Sequence, residues 1–187
     1  KRQSLSGWAT LFQDTEKELQ TIKRKKSRDN FRSNSDWIRL DFQDWTAIWH
    51  METFKSNPTA THSHNDFGSL VLFRNGKEVI IDSGRLGYEN TDISKYGLHH
   101  TSHTNISIDG YPLTLSARDY LFPSSYVCAK NSVYFQEEDD KCSMTIEHLG
   151  FKRIPGKITS YSREFIFYKD HVEIGDQIDG KGEYLLD

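Results

Sequence analysis

Phe67-Gly68-Ser69-Leu70-Val71-Leu72-Phe73-Arg74-Asn75-Gly76-Lys77-Glu78-Val79-Ile80-Ile81 is the stretch that decides the fold class. Two runs rich in branched and aromatic residues flank an Asn-Gly pair. Asparagine and glycine tolerate the positive φ that a two-residue hairpin turn requires, so the stretch predicts two antiparallel strands. The same pattern recurs on either side. Upstream, Asp36–Gln43 alternates Trp37, Arg39 and Asp41 with Ile38, Leu40 and Phe42, the two-residue period of a half-buried strand. Trp45–Phe54 continues in that style. Downstream, Thr104–Ile108 runs into a second turn pair, Asp109-Gly110. Ser132–Gln136 and Ser143–His148 flank the acidic stretch Glu137–Lys141, and Phe165–Tyr168 and Val172–Ile174 flank Lys169-Asp170. Glu183–Leu186 is a last strand-like segment. Many short strands with regular turns predict a mainly β chain, an antiparallel β-sandwich.

One helix is expected ahead of the strands, over residues 5–27, where Trp8, Leu11, Phe12, Leu19 and Ile22 fall roughly on one face. Its basic end, Lys23-Arg24-Lys25-Lys26, suits the C-terminal helix dipole and reads as a solvated end rather than an anion site. The polar segment Ser27–Ser35 reads as a linker. The expected division is therefore residues 1–32, helix and linker, and residues 33–187, the sandwich, which the chain can end before completing.

The 187 residues are 35% hydrophobic, 13% aromatic and 27% charged, a globular composition with enough length for a substantial core. No run of about 18 apolar residues exists, so no membrane-spanning helix is expected. The chain opens on Lys1 with no apolar signal-peptide core after it, and reads as a piece of a longer protein. A net charge of -3 argues against general nucleic-acid binding. It leaves open an anionic sugar, because a local cluster of basic side chains can dominate one cleft. Cys128 and Cys142 are either a cross-strand disulfide or two free thiols, and their spacing fits neither a zinc ribbon nor a redox pair.

The residues that carry chemistry lie in Thr61-His62-Ser63-His64-Asn65-Asp66-Phe67-Gly68-Ser69. In an extended segment His62, His64 and Asp66 would share one face. Asp82-Ser83-Gly84 and Ser102-His103-Thr104-Asn105 follow at long intervals. Two imidazoles and a carboxylate on neighbouring strands can hold a divalent metal. Spacing alone does not single out which carboxylate binds.

Taken in order, His62-x-His64-x-Asp66-x-Gly68-Ser69, Asn75-Gly76, Asp82-x-Gly84, Tyr88, His103 and Ile108-Asp109-Gly110 resemble the heparinase II/III-like family of polysaccharide lyases. The family joins an N-terminal α/α toroid to a C-terminal antiparallel β-sandwich and cleaves uronate-containing polysaccharides by β-elimination. The resemblance implies that the helix at 5–27 is the end of such a toroid. It implies that His64, Asp82 and His103 bind a metal, usually zinc, in a structural or active-site role. It implies that His62 lies in the catalytic cleft and that Asp66 orients a ligand histidine. The partners it implies are an acidic polysaccharide, such as a glycosaminoglycan, and a helical domain absent from this chain, without which the chain is inactive. Periplasmic or extracellular localisation follows from the same resemblance.

Two other readings compete. His64-x-Asp66 with distant His103 also fits the two-histidine, one-carboxylate triad of iron- and 2-oxoglutarate-dependent oxygenases. A non-catalytic carbohydrate-binding sandwich could use the four tryptophans and nine tyrosines as stacking platforms. Among the remaining side chains, His99 and His100 read as exposed loop histidines. Tyr88 reads as a cleft hydroxyl or a core aromatic, Arg85 as a surface arginine and Arg163 as part of a strand face.

Overall fold

The computed structural model describes residues 30–34, 37–51, 65–114 and 131–186. Two antiparallel sheets carry the fold. The first contains β1 (Phe31–Asn34), β2 (Trp37–Phe42), β3 (Trp45–His50), β4 (Leu70–Arg74) and β5 (Lys77–Ile80), side by side in chain order. The second contains β8 (Asn131–Glu137), β9 (Cys142–His148), β10 (Ser160–Phe167) and β11 (Val172–Asp179), also in chain order. Between them in sequence come a short helix α1 (Asp92–Leu98), a 3-10 turn (His100–Ser102) and a small ladder of β6 (Ser107–Ile108) with β7 (Tyr111–Pro112).

Local chemistry explains the turns. Asn75 and Gly76 both adopt positive φ, 51° and 74°, as the hairpin between β4 and β5 requires. Asp109 and Gly110 do the same between β6 and β7, at 52° and 74°. The alternation predicted for the first sheet holds: Ile38, Leu40 and Phe42 of β2 and Trp45, Ala47 and Trp49 of β3 are buried, with less buried residues between them. In the second sheet Met144 and Ile146 of β9 and Tyr161, Phe165 and Phe167 of β10 face inward.

The inward faces of the two sheets meet as a sandwich. Trp49 of β3 is fully buried and meets Phe165 and Phe167 of β10 edge-on, at ring-centroid distances of 5.2 and 5.9 Å. Phe31 of β1 stacks on Phe135 of β8 at 4.5 Å, and the Trp45 indole N–H donates to the Tyr168 carbonyl at 2.9 Å. Edge-to-face and offset contacts suit the quadrupoles of aromatic rings. Cys142 is a buried free thiol, pushed up to about 12 by burial and by the charge of Glu137. Cys128 lies outside the described residues, as does the expected helix over 5–27.

Several expectations are corrected. The segment read as a linker, Ser27–Ser35, contains β1, which pairs Phe31 with Leu40 and Arg32 with Arg39 of β2. Phe67–Phe73 is not strand throughout: a turn at Phe67-Gly68, with Gly68 at φ 72°, precedes β4. Glu183–Leu186 contributes a single bridge, Leu186 to Ile108, rather than a strand. Helix α1 was not expected. It starts at Thr91, whose hydroxyl accepts from the Ser94 N–H, an N-cap that stabilises a seven-residue helix too short for periodicity to reveal. Among the described residues, no helix is long and apolar enough to cross a membrane.

His148 ends β9 as a buried imidazole whose Nδ1 accepts the Gly150 N–H at 2.8 Å, with its ring against Phe67. A Cβ on Gly150 would lie 2.1 Å from the Leu113 carbonyl oxygen, so only glycine allows this close approach. Burial, with the nearby Arg153 charge, pushes His148 down from 6.5 to about 3. The folded protein therefore keeps this ring neutral while the unfolded chain protonates it below 6.5. The stability it confers is complete above that value and is lost progressively as the pH falls towards about 3. At 1.36 kcal/mol per pH unit, the loss at pH 5 is about 2 kcal/mol. Urea unfolding at pH 7 and pH 5 should show this drop in the wild type and a smaller one in His148→Asn. Equal drops in both proteins would mean that another group is responsible.

Candidate metal centre

Three loops at one end of the first sheet meet around Asp82. Asp82 follows β5, and Gly84, at φ 61°, turns the chain so that its N–H donates to Asp82 Oδ1 at 2.8 Å. Ser69 stands just before β4 and donates its hydroxyl to Asp82 Oδ2 at 2.7 Å. His103 follows the 3-10 turn, with its side chain fully enclosed and its Nδ1 2.8 Å from the same Oδ2. Burial opposes the charge on Asp82, but the hydrogen bonds from His103, Ser69 and the Gly84 N–H outweigh it and hold the carboxyl at about 2. Asp82 is thus an acceptor only, so His103 Nδ1 carries the proton in this contact.

Hydrogen bonds from several elements fix the surroundings. The Thr104 N–H donates to Ser69 Oγ at 3.1 Å, and the Thr104 hydroxyl donates to the Leu70 carbonyl at 3.2 Å. Asn105 donates its side-chain amide to the Asn65 carbonyl at 2.8 Å, and the Asn65 N–H reaches the Leu98 carbonyl at 3.2 Å. The segment entering β4, the end of α1 and the loop after His103 are therefore tied together.

A second carboxylate–imidazole pair joins the end of β3 to the segment that precedes β4. His50 Nδ1 is 2.5 Å from Asp66 Oδ2, and the half-exposed Trp37 ring packs 4.6 Å from the imidazole. The Gly68 N–H donates to the His50 carbonyl at 2.7 Å, which carries the turn at Phe67-Gly68 past the end of β3. His50 was not singled out from the sequence. It stands 16 positions from Asp66, and no short motif marks a pair that only strand registration creates.

Of the predicted ligands, the structure brings Asp82 and His103 together, whereas His62 and His64 lie outside the described residues. Among the described residues, no group of three His, Cys, Asp or Glu side chains could hold a metal. Carboxylate and imidazole are both donor types that zinc accepts, and a metal bound through Asp82 Oδ2 and His103 Nδ1 would have to displace the proton those two atoms now share. Among the described residues Asp66 pairs with His50, and the predicted ligand histidine nearest to it in sequence, His64, lies outside them. The same geometry weighs against the oxygenase triad, because the carboxylate on His103 is Asp82.

His99 is exposed as expected, but His100 is buried, since the 3-10 turn directs it inward. Tyr88 is 71% exposed and so is no core aromatic; Arg85 covers its ring at 4.1 Å in a cation–π contact. Arg163 does lie on a strand face, but on the inward one. The two-residue phase Tyr161, Arg163, Phe165, Phe167 carried that signal.

The fold and these loops define an antiparallel sandwich with a carboxylate–histidine pair at one end. The chain belongs to the heparinase II/III-like C-terminal family, which matches residues 24–184. No curated protein matches it. Among solved structures, it is similar to the crystal structure of heparan sulfate lyase HepC from Pedobacter heparinus, with a TM-score of 0.61 at 13% identity. That likeness, a likeness of fold, spans 94% of this chain and 26% of the HepC chain.

Proposed function

We propose that this chain is the metal-binding β-sandwich part of a polysaccharide lyase that cleaves uronate-containing polysaccharide by β-elimination. The observation that carries the reading is the pairing of Asp82 with His103 inside a heparinase II/III-like sandwich. The similar HepC structure is that of a heparan sulfate lyase, which makes a glycosaminoglycan the first polymer to test. A periplasmic or extracellular location goes with such a substrate.

The reaction removes the proton at C5 of the uronate and breaks the C4–O bond, leaving a C4–C5 double bond, while the departing oxygen takes a proton. The C5 proton is poorly acidic beside a charged carboxylate, so the site must neutralise that carboxylate, supply a base and supply an acid. His62 is the residue of this chain assigned to the cleft, where a protonated imidazole would neutralise the uronate carboxylate or share in proton transfer. The remaining groups are assigned to a helical domain, so the isolated chain should be inactive.

His64, Asp82 and His103 would hold zinc. Bound zinc would supply a fixed positive charge and a cross-link between the loops. Support for His64 comes from its neighbour: Asn65 is held by Asn105, two residues beyond His103. Metal analysis of the purified chain tests the ligand set. Wild-type protein should retain zinc, whereas His64→Ala and Asp82→Ala should lose most of it. Zinc at about 100 times its Kd should stabilise the wild type by about 3 kcal/mol and leave both variants unmoved. Zinc content in Asp82→Ala equal to the wild type would remove Asp82 from the site.

A further inference from the structure

We propose that Arg163 is a positioning residue for the Asp82–His103 site, clamping the loop that carries His103 between the two sheets. The inference rests on the metal reading given under Proposed function and extends it to a residue outside the ligand set.

Arg163 occupies an inward position of β10, between Tyr161 and Phe165, and is only 6% exposed. A buried guanidinium is costly unless it is fully paired. Its partner is Asp176, directly opposite on β11. The pair is bidentate, with Arg163 Nε to Asp176 Oδ1 at 2.7 Å and Nη2 to Oδ2 at 2.9 Å. The Tyr161 hydroxyl donates to the same Oδ1 at 2.7 Å. Buried ion pairs are often replaceable by apolar side chains without loss of stability, so stability is a weak reason for this one.

What the pair adds is a third arm. Arg163 Nη1 donates to the Thr104 carbonyl oxygen at 2.5 Å. Thr104 directly follows His103. Its N–H is held by Ser69 Oγ, and its hydroxyl donates to the Leu70 carbonyl, both at the entry to β4 in the first sheet. Ser69 Oγ in turn donates to Asp82 Oδ2, the oxygen that faces His103. Thr104 is thus gripped by the first sheet through Ser69 and Leu70, and by the second through Arg163. The backbone that carries His103 is fixed before any metal arrives, and less ordering is left for binding to impose. Groups that orient ligands in this way commonly tune metal affinity 10–100-fold. Lysine cannot reproduce the arrangement, because one ammonium lacks the planar fork that serves a carboxylate and a carbonyl together.

The test uses the full chain with two variants. Arg163→Lys keeps the buried charge beside Asp176, and the triple variant Tyr161→Phe/Arg163→Met/Asp176→Leu removes the ion pair and its hydroxyl donor together, freeing only the Thr104 carbonyl. Zinc affinity is measured by competition with a chromogenic chelator, and amide hydrogen exchange is followed at Thr104 and Asn105 relative to amides in β9. The expected result is zinc affinity at least about tenfold weaker, with faster exchange at Thr104 and Asn105 and unchanged exchange in β9. Either folded variant with wild-type affinity and wild-type exchange at Thr104 overturns the proposal. Wild-type protein that takes up no zinc overturns the metal reading and Arg163's part in affinity. The exchange comparison then still decides whether Arg163 clamps the loop, with unchanged exchange overturning that too.

Discussion

Joined to a helical partner domain, the His62→Ala variant is expected to turn over uronate polymer roughly 10²–10⁴-fold more slowly than the wild type, the usual scale for losing a proton-transfer group. Its zinc content and melting temperature should stay at wild-type values, because His62 is assigned to the reaction and not to the ligand set. His64→Ala should behave in the opposite order, losing zinc first and activity as a consequence. The assay is the ultraviolet absorbance of the C4–C5 double bond in the product. Saturated sugars as products would identify a hydrolase and defeat the elimination chemistry. Efficient cleavage by the isolated chain would place the whole catalytic set within this sequence and defeat the proposed division between domains.

The second large effect concerns the core. Trp49 is fully buried, and its ring bridges the sheets through Phe165 and Phe167. Its indole nitrogen has no hydrogen-bond partner among the described residues, so truncation forfeits packing rather than a polar contact. Trp49→Ala should cost about 3–5 kcal/mol of unfolding free energy, the range for large aromatic deletions. For a chain of this size that is roughly 6–20 °C in Tm. Thermal and urea unfolding should agree on the loss. A cost below about 1 kcal/mol would mean that the sheets close over the gap, contrary to the limited relaxation expected of a tightly packed core.

The elements legible in the sequence were those whose cause is local. Asn75-Gly76 and Asp109-Gly110 announce turns because their own backbones must take positive φ. Alternation in Trp37–Phe42 announces a strand because one sheet face is dry. Hidden elements have distant causes. Phe31-Arg32-Ser33-Asn34 is too polar to read as strand, and its pairing with β2 makes it one. Helix α1 owes its existence to a cap and to its surroundings rather than to a periodic face. At the site, Asp82 and His103 were reachable because they sit in a recognisable ordered string. His50 and Arg163 were not, since their partners, Asp66 and Thr104, are 16 and 59 positions away. His62 and His64 were legible as a motif but lie outside the described residues.

The order of strands has a kinetic consequence. Within each sheet, every described strand pairs only with its neighbours in the chain, β1 through β5 and then β8 through β11. Each sheet is a meander, so most pairing closes a short loop, and the entropy lost on closure grows with loop length. Low sequence separation between contacts also favours rapid formation. Each meander can therefore assemble early from its own hairpins, leaving the long closures for later: Trp49 onto Phe165 and Arg163 onto Thr104. By that ordering, the Asp82–His103 end of the sandwich is among the last parts to become native, and mutations there should act mainly on the unfolding rate.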